Sequence, residues 1–209
     1  LVRTASTTSF SKEPTGVAYN PVNGHVFISD DNKRRIFEID TGADSLAGTG
    51  DDIVTSFNAT AVGCDDAEGV AFGNGSVFIA GGIGKKVCRV SPGLNGVFDG
   101  AAPQGDDQFS SFDTSAMGIN DPEGIEFNPD RNTLYILSRD GAMRETTLDG
   151  NLVSVINISA ANAKSPAGLA YGPGSLNPAT KSIYIAARGI DNGQDPTEND
   201  GKVYEMSLS

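Results

Sequence analysis

Short runs of alternating apolar and polar residues recur along the whole chain, and Gly, Pro, Asn and Asp separate them. Strict alternation over four to eight residues indicates a strand with one buried face, because successive side chains of a strand point to opposite faces. No stretch sustains the 3.6-residue apolar period of a long amphipathic helix. The pattern therefore predicts an all-β protein built from many short strands joined by turns.

One unit of this pattern occurs four times. Each copy begins with a glycine that opens an apolar alternation ending in Phe or Tyr, and these anchor glycines are Gly16, Gly69, Gly124 and Gly168. They stand 53, 55 and 44 residues apart. Second runs follow at 25–28, 76–79, 133–136 and 182–185, third runs at 36–39, 87–90, 143–146 and 203–206, and fourth runs at 53–57, 108–112 and 152–156. The repeat predicts a four-stranded structural unit.

The last copy lacks a fourth run, and a matching run stands at the opposite end of the chain. Leu1 precedes Gly16 by 15 residues, and Leu152 precedes Gly168 by 16. The pattern predicts a four-bladed β-propeller with four antiparallel strands per blade, closed by the N-terminal strand. We expect one domain over residues 1–209, with repeats beginning near 13, 66, 121 and 165 and with residues 1–10 completing the last blade. The alternative is a set of repeats taken from a ring of five to eight blades.

The third copy reads Asp-Pro-Glu-Gly-Ile-Glu-Phe-Asn-Pro from Asp121 to Pro129, and the strand-like run Thr-Leu-Tyr-Ile follows it. This motif resembles the NHL and gluconolactonase-like propellers, and the repeat is similar to phytase-like and esterase-like propellers of secreted bacterial proteins. The resemblance covers the whole chain and implies a propeller fold. It does not select an activity, because these folds carry enzymes and binding modules alike.

Charge narrows the classes of partner. The formal net charge is −12, and nucleic-acid binding requires clustered Lys and Arg instead. No apolar run reaches the roughly 20 residues needed to span a bilayer, so we expect no membrane insertion. The chain does not begin with Met, which favours a mature or excised form. We expect an extracellular, cell-surface or periplasmic module that is monomeric, could belong to a larger protein, and binds a protein or glycan.

Two cysteines, Cys64 and Cys88, leave both a disulfide and two free thiols open, and no Cys/His cluster suggests zinc. The alternating apolar residues of the first and second runs, Val17 and Tyr19 among them, are expected to pack between blades. The single histidine, His25, begins a second run and is expected to be a residue at the edge of a turn.

The strongest chemical feature is a pair of acidic inserts between the third and fourth runs of the first two copies. Ca²⁺ takes six to eight oxygen ligands, which closely spaced carboxylates, amides and backbone carbonyls on a glycine-bent loop supply. The candidate ligands are Asp44, Asp51 and Asp52 in the first insert and Asn95, Asp99, Asp106 and Asp107 in the second. The alternative is a turn-rich loop whose carboxylates accept hydrogen bonds from backbone amides.

A third acidic segment interrupts the last copy and offers Asp191, Asp195 and Asp200 as further candidate Ca²⁺ ligands. Its alternative is a solvated polar loop.

A separate group of candidates belongs to the innermost strands, near the expected central channel. Glu68 and Glu123 stand directly before their anchor glycines, and Glu126 replaces an alanine of the other copies. A carboxylate in such a position should be paired, and Arg139 or Arg188 could pair with it, while Asp30 stands at a nearby equivalent position. These residues form either a structural ion-pair network or an axial metal site.

Two functions follow from these candidates, with a metal-free structural repeat unit as a third. The first is a calcium-binding propeller module that acts as an interaction scaffold, with Ca²⁺ held in peripheral loops. The second is a metal-dependent hydrolase of the lactonase, esterase or phosphatase type, with an axial metal held by Glu68, Glu123 and Glu126.

Overall fold

The computed structural model describes residues 3–190 and 200–208 and shows an all-β protein, a four-bladed β-propeller. The first blade contains β1 (Pro14–Tyr19), β2 (Val26–Asp30), β3 (Arg35–Asp40) and β4 (Ile53–Asn58). The second contains β5 (Ala67–Gly73), β6 (Ser76–Gly81), β7 (Lys86–Ser91) and β8 (Gln108–Asp113). The third contains β9 (Pro122–Asn128), β10 (Thr133–Ser138), β11 (Met143–Thr146) and β12 (Leu152–Ile156), and the fourth β13 (Pro166–Pro173), β14 (Lys181–Ala187) and β15 (Lys202–Ser207).

Every blade is an antiparallel sheet in which strands adjacent in sequence are paired. Three 3₁₀ turns, Thr60–Val62, Ser115–Met117 and Ser159–Ala161, lead from the fourth strand of one blade toward the first strand of the next. None of the described helices has the length and apolar character that a membrane crossing requires. The predicted strand order is confirmed for all fifteen described strands, β15 being the predicted third run of the last copy.

The core lies between blades. Phe27, Val70 and Ile79 belong to the cluster between the first and second blades, and Ile125 and Leu134 belong to the cluster between the second and third. Tyr135 of the third blade and Ile183 of the fourth share the next cluster. Alternation along each strand places one apolar set on each face of the sheet, so neighbouring blades bury their facing sets.

The anchor glycines explain the repeat signature. A Cβ atom on Gly69 would lie 2.5 Å from the carbonyl oxygen of Glu123, and one on Gly124 would lie 2.8 Å from the carbonyl oxygen of Ala167. On Gly16 it would lie 2.9 Å from the amide nitrogen of Val70. The innermost strands approach at backbone distance, which only glycine permits at these points.

The ends of the chain differ from the sequence prediction. The fourth blade has three strands in the described ranges, and residues 3–13 form turns and irregular structure, so the predicted closing strand is not formed by them. The ring of Phe10 lies 5.2 Å from that of Phe37, and the hydroxyl of Ser11 donates a 2.6 Å hydrogen bond to Asp30. These contacts hold the N-terminal segment on the first blade.

Cys64 and Cys88 form a disulfide, which resolves the alternative that the sequence left open. Cys64 follows the first 3₁₀ turn, and Cys88 lies in β7. Both are fully buried in the cluster between the first and second blades.

Candidate functional site

The two acidic inserts form corresponding loops between the third and fourth strands of their blades. We call residues 41–52 the first acidic loop and residues 92–107 the second acidic loop. In both, a glycine near the start lies against the first residue of a closing Asp-Asp pair: Gly42 against Asp51, and Gly93 against Asp106. The second loop is longer, and this difference changes what its carboxylates contact.

In the first acidic loop the carboxylates accept hydrogen bonds from their own loop. Asp51 accepts from the amide of Ala43 at 2.9 Å, Asp52 from that of Thr49 at 3.2 Å, and Asp44 from that of Leu46 at 2.8 Å. The Thr49 hydroxyl donates to Asp51 at 2.6 Å and holds the pKa of that carboxyl below its usual range. This arrangement matches the turn-rich alternative. Carboxylate oxygens of all three candidates accept hydrogen bonds from the loop, and these donors take the place that a cation would have.

The second acidic loop brings three carboxylates together around a shared space. Asp99, Asp106 and Asp107 each offer an oxygen, and the three oxygens lie within 4.8 Å of one another. Two ligands of one Ca²⁺ at about 2.4 Å can be at most about 4.8 Å apart, so the spacing fits a common cation.

Hydrogen bonds within the loop satisfy only one carboxylate oxygen of Asp106 and one of Asp107. The Oδ2 atom of Asp107 accepts from the amide of Gly100 at 2.7 Å, and that of Asp106 accepts from the amide of Leu94 at 2.9 Å. Their Oδ1 atoms are buried and have no hydrogen-bond partner within the described part of the chain. Asp107 is only 4% exposed. A buried carboxylate oxygen without a partner is costly, and a bound cation removes that cost.

Neighbouring residues hold the three carboxylates in place. The side-chain amide of Asn95 donates to Asp99 at 2.9 Å, so Asn95 orients a candidate ligand. Phe98, 6% exposed, packs its ring 5.3 Å from that of Phe27 and anchors the loop on the core. Burial raises the pKa of Asp107, and the charges of Asp99 and Asp106 act in the same direction. The three carboxylates therefore concentrate negative charge at a partly buried position.

The third acidic segment lies mostly outside the residues that the structure describes. Asp191 and Asp195 are outside the described residues. Asp200 accepts a hydrogen bond from the amide of Ile190 at 2.9 Å, which ties the start of this segment to its end.

The channel candidates form an ion-pair network. Arg188 places Nη2 2.6 Å from Glu123 Oε2 and 3.4 Å from Glu68 Oε2, and Arg139 lies 3.9 Å from Glu123. Glu123 is 3% exposed. The expected pairing of either arginine with Glu126 is therefore wrong, because both arginines form ion pairs with Glu123 instead. Glu126 instead accepts a 2.9 Å hydrogen bond from the amide of Phe127, and its half-buried side chain lines a cleft together with Phe72.

A second acidic group adjoins this network. Asp31, Asp66 and Glu68 each place an oxygen within 4.8 Å of the others. Burial, followed by the charge of Glu123, raises the pKa of Glu68 to about 7. Asp30 is separate from this group, because the hydroxyl of Ser11 and the amide of Lys33 bind its carboxylate. His25 contacts Glu38 at 2.7 Å at a blade edge.

The Arg188 network makes a prediction about stability. Arg188→Met leaves the buried Glu123 without its nearest cation, so we expect the free energy of unfolding at pH 8 to fall by about 2 kcal/mol. The loss should shrink at pH 5, because burial raises the pKa values of Glu123 and Glu68 and their protonated forms need no cation. Urea unfolding at both pH values measures this. An equal loss at both would show that Arg188 acts through packing alone.

Comparisons with known proteins address the fold. No family model matches the chain, and no curated protein matches its sequence. A streptogramin B lyase structure is 16% identical over 95% of this chain and 55% of that chain, with a TM-score of 0.52. Luciferin-regenerating enzyme is 14% identical over 92% and 60%, with a TM-score of 0.60, and a chain of a nidogen/laminin complex is 18% identical over 91% and 64%, with a TM-score of 0.54. The chain thus spans roughly three-fifths of the length of these proteins, and the likeness shows a β-propeller fold.

Proposed function

We propose that this protein is a secreted or cell-surface propeller module that binds Ca²⁺ in the second acidic loop and serves as an interaction scaffold. The observation that carries the proposal is the buried Oδ1 of Asp107, which has no hydrogen-bond partner within the described part of the chain, in a carboxylate that clusters with those of Asp99 and Asp106. Hydrogen bonds within the loop satisfy one oxygen of Asp106 and one of Asp107, and leave the others for an ion.

Calcium fits this site better than other common cations. The ligands are hard oxygens, and no His or Cys belongs to the cluster as described, whereas Zn²⁺ prefers nitrogen and sulfur. Backbone carbonyls of a glycine-rich loop can complete the six to eight ligands that Ca²⁺ takes. Mg²⁺ requires near-ideal octahedral geometry and usually retains several waters, so a half-buried loop favours the larger ion.

The scaffold role rests on the surrounding features. The disulfide favours an oxidising compartment, where such bonds persist. A net charge of −12 favours solubility and attracts cations. One structure with the same fold is a complex between nidogen and laminin, which supports protein binding as the use of the fold here.

Calorimetric titration of the EDTA-treated protein with Ca²⁺ tests the proposal. We expect one site, and at a hundredfold excess over the dissociation constant about 2.7 kcal/mol of added stability. Asp107→Asn should abolish this response and at the same time raise the stability of the metal-free protein, because it removes a buried charge.

The control is Asp51→Asn, in the closing Asp-Asp pair of the first acidic loop, whose carboxylate already accepts hydrogen bonds from protein donors. It should leave the affinity for Ca²⁺ unchanged. Absence of binding in the unaltered protein, or equal loss in both variants, would overturn the proposal. The opposite signs expected for Asp107→Asn with and without Ca²⁺ separate a lost ligand from a general folding defect.

A second candidate function is hydrolysis centred on Glu68. The observation that favours it is the raised pKa of Glu68, about 7, beside Asp31 and Asp66, since a general base works best when its pKa lies near the working pH. Arg188 opposes an axial metal, because it already supplies the positive charge between Glu68 and Glu123.

Lactone, ester and phosphate-ester substrates, each assayed with and without Ca²⁺ or Mn²⁺, test this second candidate. Turnover that is lost in Glu68→Gln but kept in Asp107→Asn would support hydrolysis. No turnover of any of these substrates would reject it.

A further inference from the structure

Two blade faces of this protein have the composition of a blade-to-blade interface but no blade against them. We call the face of a blade that carries the anchor glycine its trailing face, and the opposite face its leading face. The trailing faces of the first three blades pack on the leading faces of the blades that follow. The leading face of the first blade and the trailing face of the fourth remain.

Equivalent residues show how the first leading face differs. Val70 and Ile125, in the second and third blades, are each 3% exposed. Val17 occupies the same position after the anchor glycine of the first blade and is 70% exposed. Tyr19, which corresponds to the half-buried Phe72, is 60% exposed. The N-terminal segment covers the outer part of this face through the contact of Phe10 with Phe37, and the inner strand stays open.

The trailing face of the fourth blade is open in the same way. The other three anchor glycines meet backbone atoms of the next blade, whereas a Cβ atom on Gly168 would meet only Ala186 of its own sheet, at 3.2 Å. Ala170 and Ala186 are exposed, and Val203 is 72% exposed. This face has the small residues that let an inner strand approach closely, and no strand of another blade packs extensively on it in the described ranges.

We propose that a second copy of this chain occupies these faces head to tail, with the leading face of each copy against the trailing face of the other. The two open faces are the two halves of one interface that the chain already forms three times, so one copy offers what the other lacks. Two copies related by a two-fold axis use all four faces and close a ring of eight blades. This differs from the monomer expected from the sequence.

The chain's superposition on longer propellers agrees with this geometry. Its four blades match about 60% of the length of luciferin-regenerating enzyme and 55% of the streptogramin B lyase chain. The arrangement of these blades is therefore compatible with a propeller of more than four blades. Closure by a second copy would also bury the exposed aliphatic and aromatic side chains of β1, which otherwise remain in water.

Sedimentation of the full chain from about 1 to 200 μM tests the proposal, with a concentration-dependent dimer as the expected result. Val17→Glu should raise the dimer dissociation constant at least about tenfold, because it places a charge in the apolar junction. Ala170→Glu should do the same from the other face. The control is Leu176→Glu, which changes a 99% exposed residue in the turn before β14 and should have no effect.

Mixing the two disruptive variants distinguishes head-to-tail packing from other dimers. The Val17→Glu copy keeps an intact trailing face and the Ala170→Glu copy an intact leading face, so an equimolar mixture should regain one junction and form heterodimers. A protein that stays monomeric at 200 μM would overturn the proposal. So would a dimer that Val17→Glu and Leu176→Glu weaken equally, or variants that fail to complement each other while their circular dichroism shows an intact fold.

Discussion

Replacing Cys64 and Cys88 together by alanine should lower the free energy of unfolding by about 3 kcal/mol. The bridge joins residues 24 apart in sequence, and a cross-link that closes a loop of this size restricts the unfolded chain by about that amount. It also connects the loop after the first blade to β7 of the second, inside the cluster that joins the two blades. Both cysteines are fully buried. Their replacement by alanine therefore also removes packing from this cluster.

Urea unfolding of the double-alanine variant and of the unaltered protein measures this effect. The unaltered protein in the presence of a reductant should approach the variant once the bridge has been reduced in the unfolded state. An unchanged midpoint would contradict the prediction and would mean that packing between the blades alone determines stability. A large loss would support folding in an oxidising compartment, because the reduced protein would then be only marginally stable.

The repeat could be predicted from the sequence because its cause is local. The first three anchor glycines mark places where two inner strands meet at backbone distance: a Cβ atom on Gly69 would lie only 2.5 Å from the carbonyl oxygen of Glu123. The alternation that follows each glycine assigns side chains to the two faces of a blade. Both signals are contained within a few residues, so the strand order and the positions of the blades follow directly from them.

The closing strand could not be predicted in the same way. Leu1 to Thr4 has the spacing of a fourth run, but spacing does not specify which sheet edge a segment pairs with. Phe10 and Ser11 find partners on the first blade, and these contacts hold residues 3–13 there. Val17 and Tyr19 were expected in the core, and both are exposed. Their neighbours depend on how the two ends meet, which is a property of the whole arrangement.

The two acidic loops differ in a way that their sequences do not reveal. Their sequences share a starting glycine and a closing Asp-Asp pair, and both were expected to bind Ca²⁺. In the first loop the Thr49 hydroxyl donates to Asp51 and lies 3.4 Å from Asp44 and Asp52, so one side chain occupies the space between the three carboxylates. The longer second loop brings in Asp99 instead. This difference depends on hydrogen-bond geometry that the residue types do not reveal.

Glu126 is the residue whose behaviour departs furthest from the sequence expectation. It was expected to pair with an arginine, and its described partners are instead backbone amides, including that of Phe127. Burial raises its pKa from 4.5 to about 7. The folded protein therefore holds a proton on this group at pH values where the unfolded chain has released it. Backbone donors oppose the shift but do not cancel the cost of removing the carboxylate from water.

This shift should make the protein less stable as the pH rises. A carboxyl whose pKa is higher in the folded state contributes fully to stability below pH 4.5, and the contribution is lost as the pH rises through about 7. From the size of the shift we expect a loss of about 3 kcal/mol between pH 4 and pH 8 from Glu126. Glu68, with a pKa also raised to about 7, adds to the loss in the same direction.

Glu126→Gln should remove the share of this pH dependence that belongs to Glu126. The variant should be more stable than the unaltered protein at pH 8, by up to about 3 kcal/mol, and should differ little from it at pH 4, because the amide resembles the protonated acid. Urea unfolding across this range in EDTA keeps calcium from contributing to the difference. Glu13→Gln, at an exposed position, is the control and should leave the curve unchanged. If Glu126→Gln destabilises the protein at pH 8, the carboxylate has a favourable partner in its charged form, and burial does not dominate its energetics.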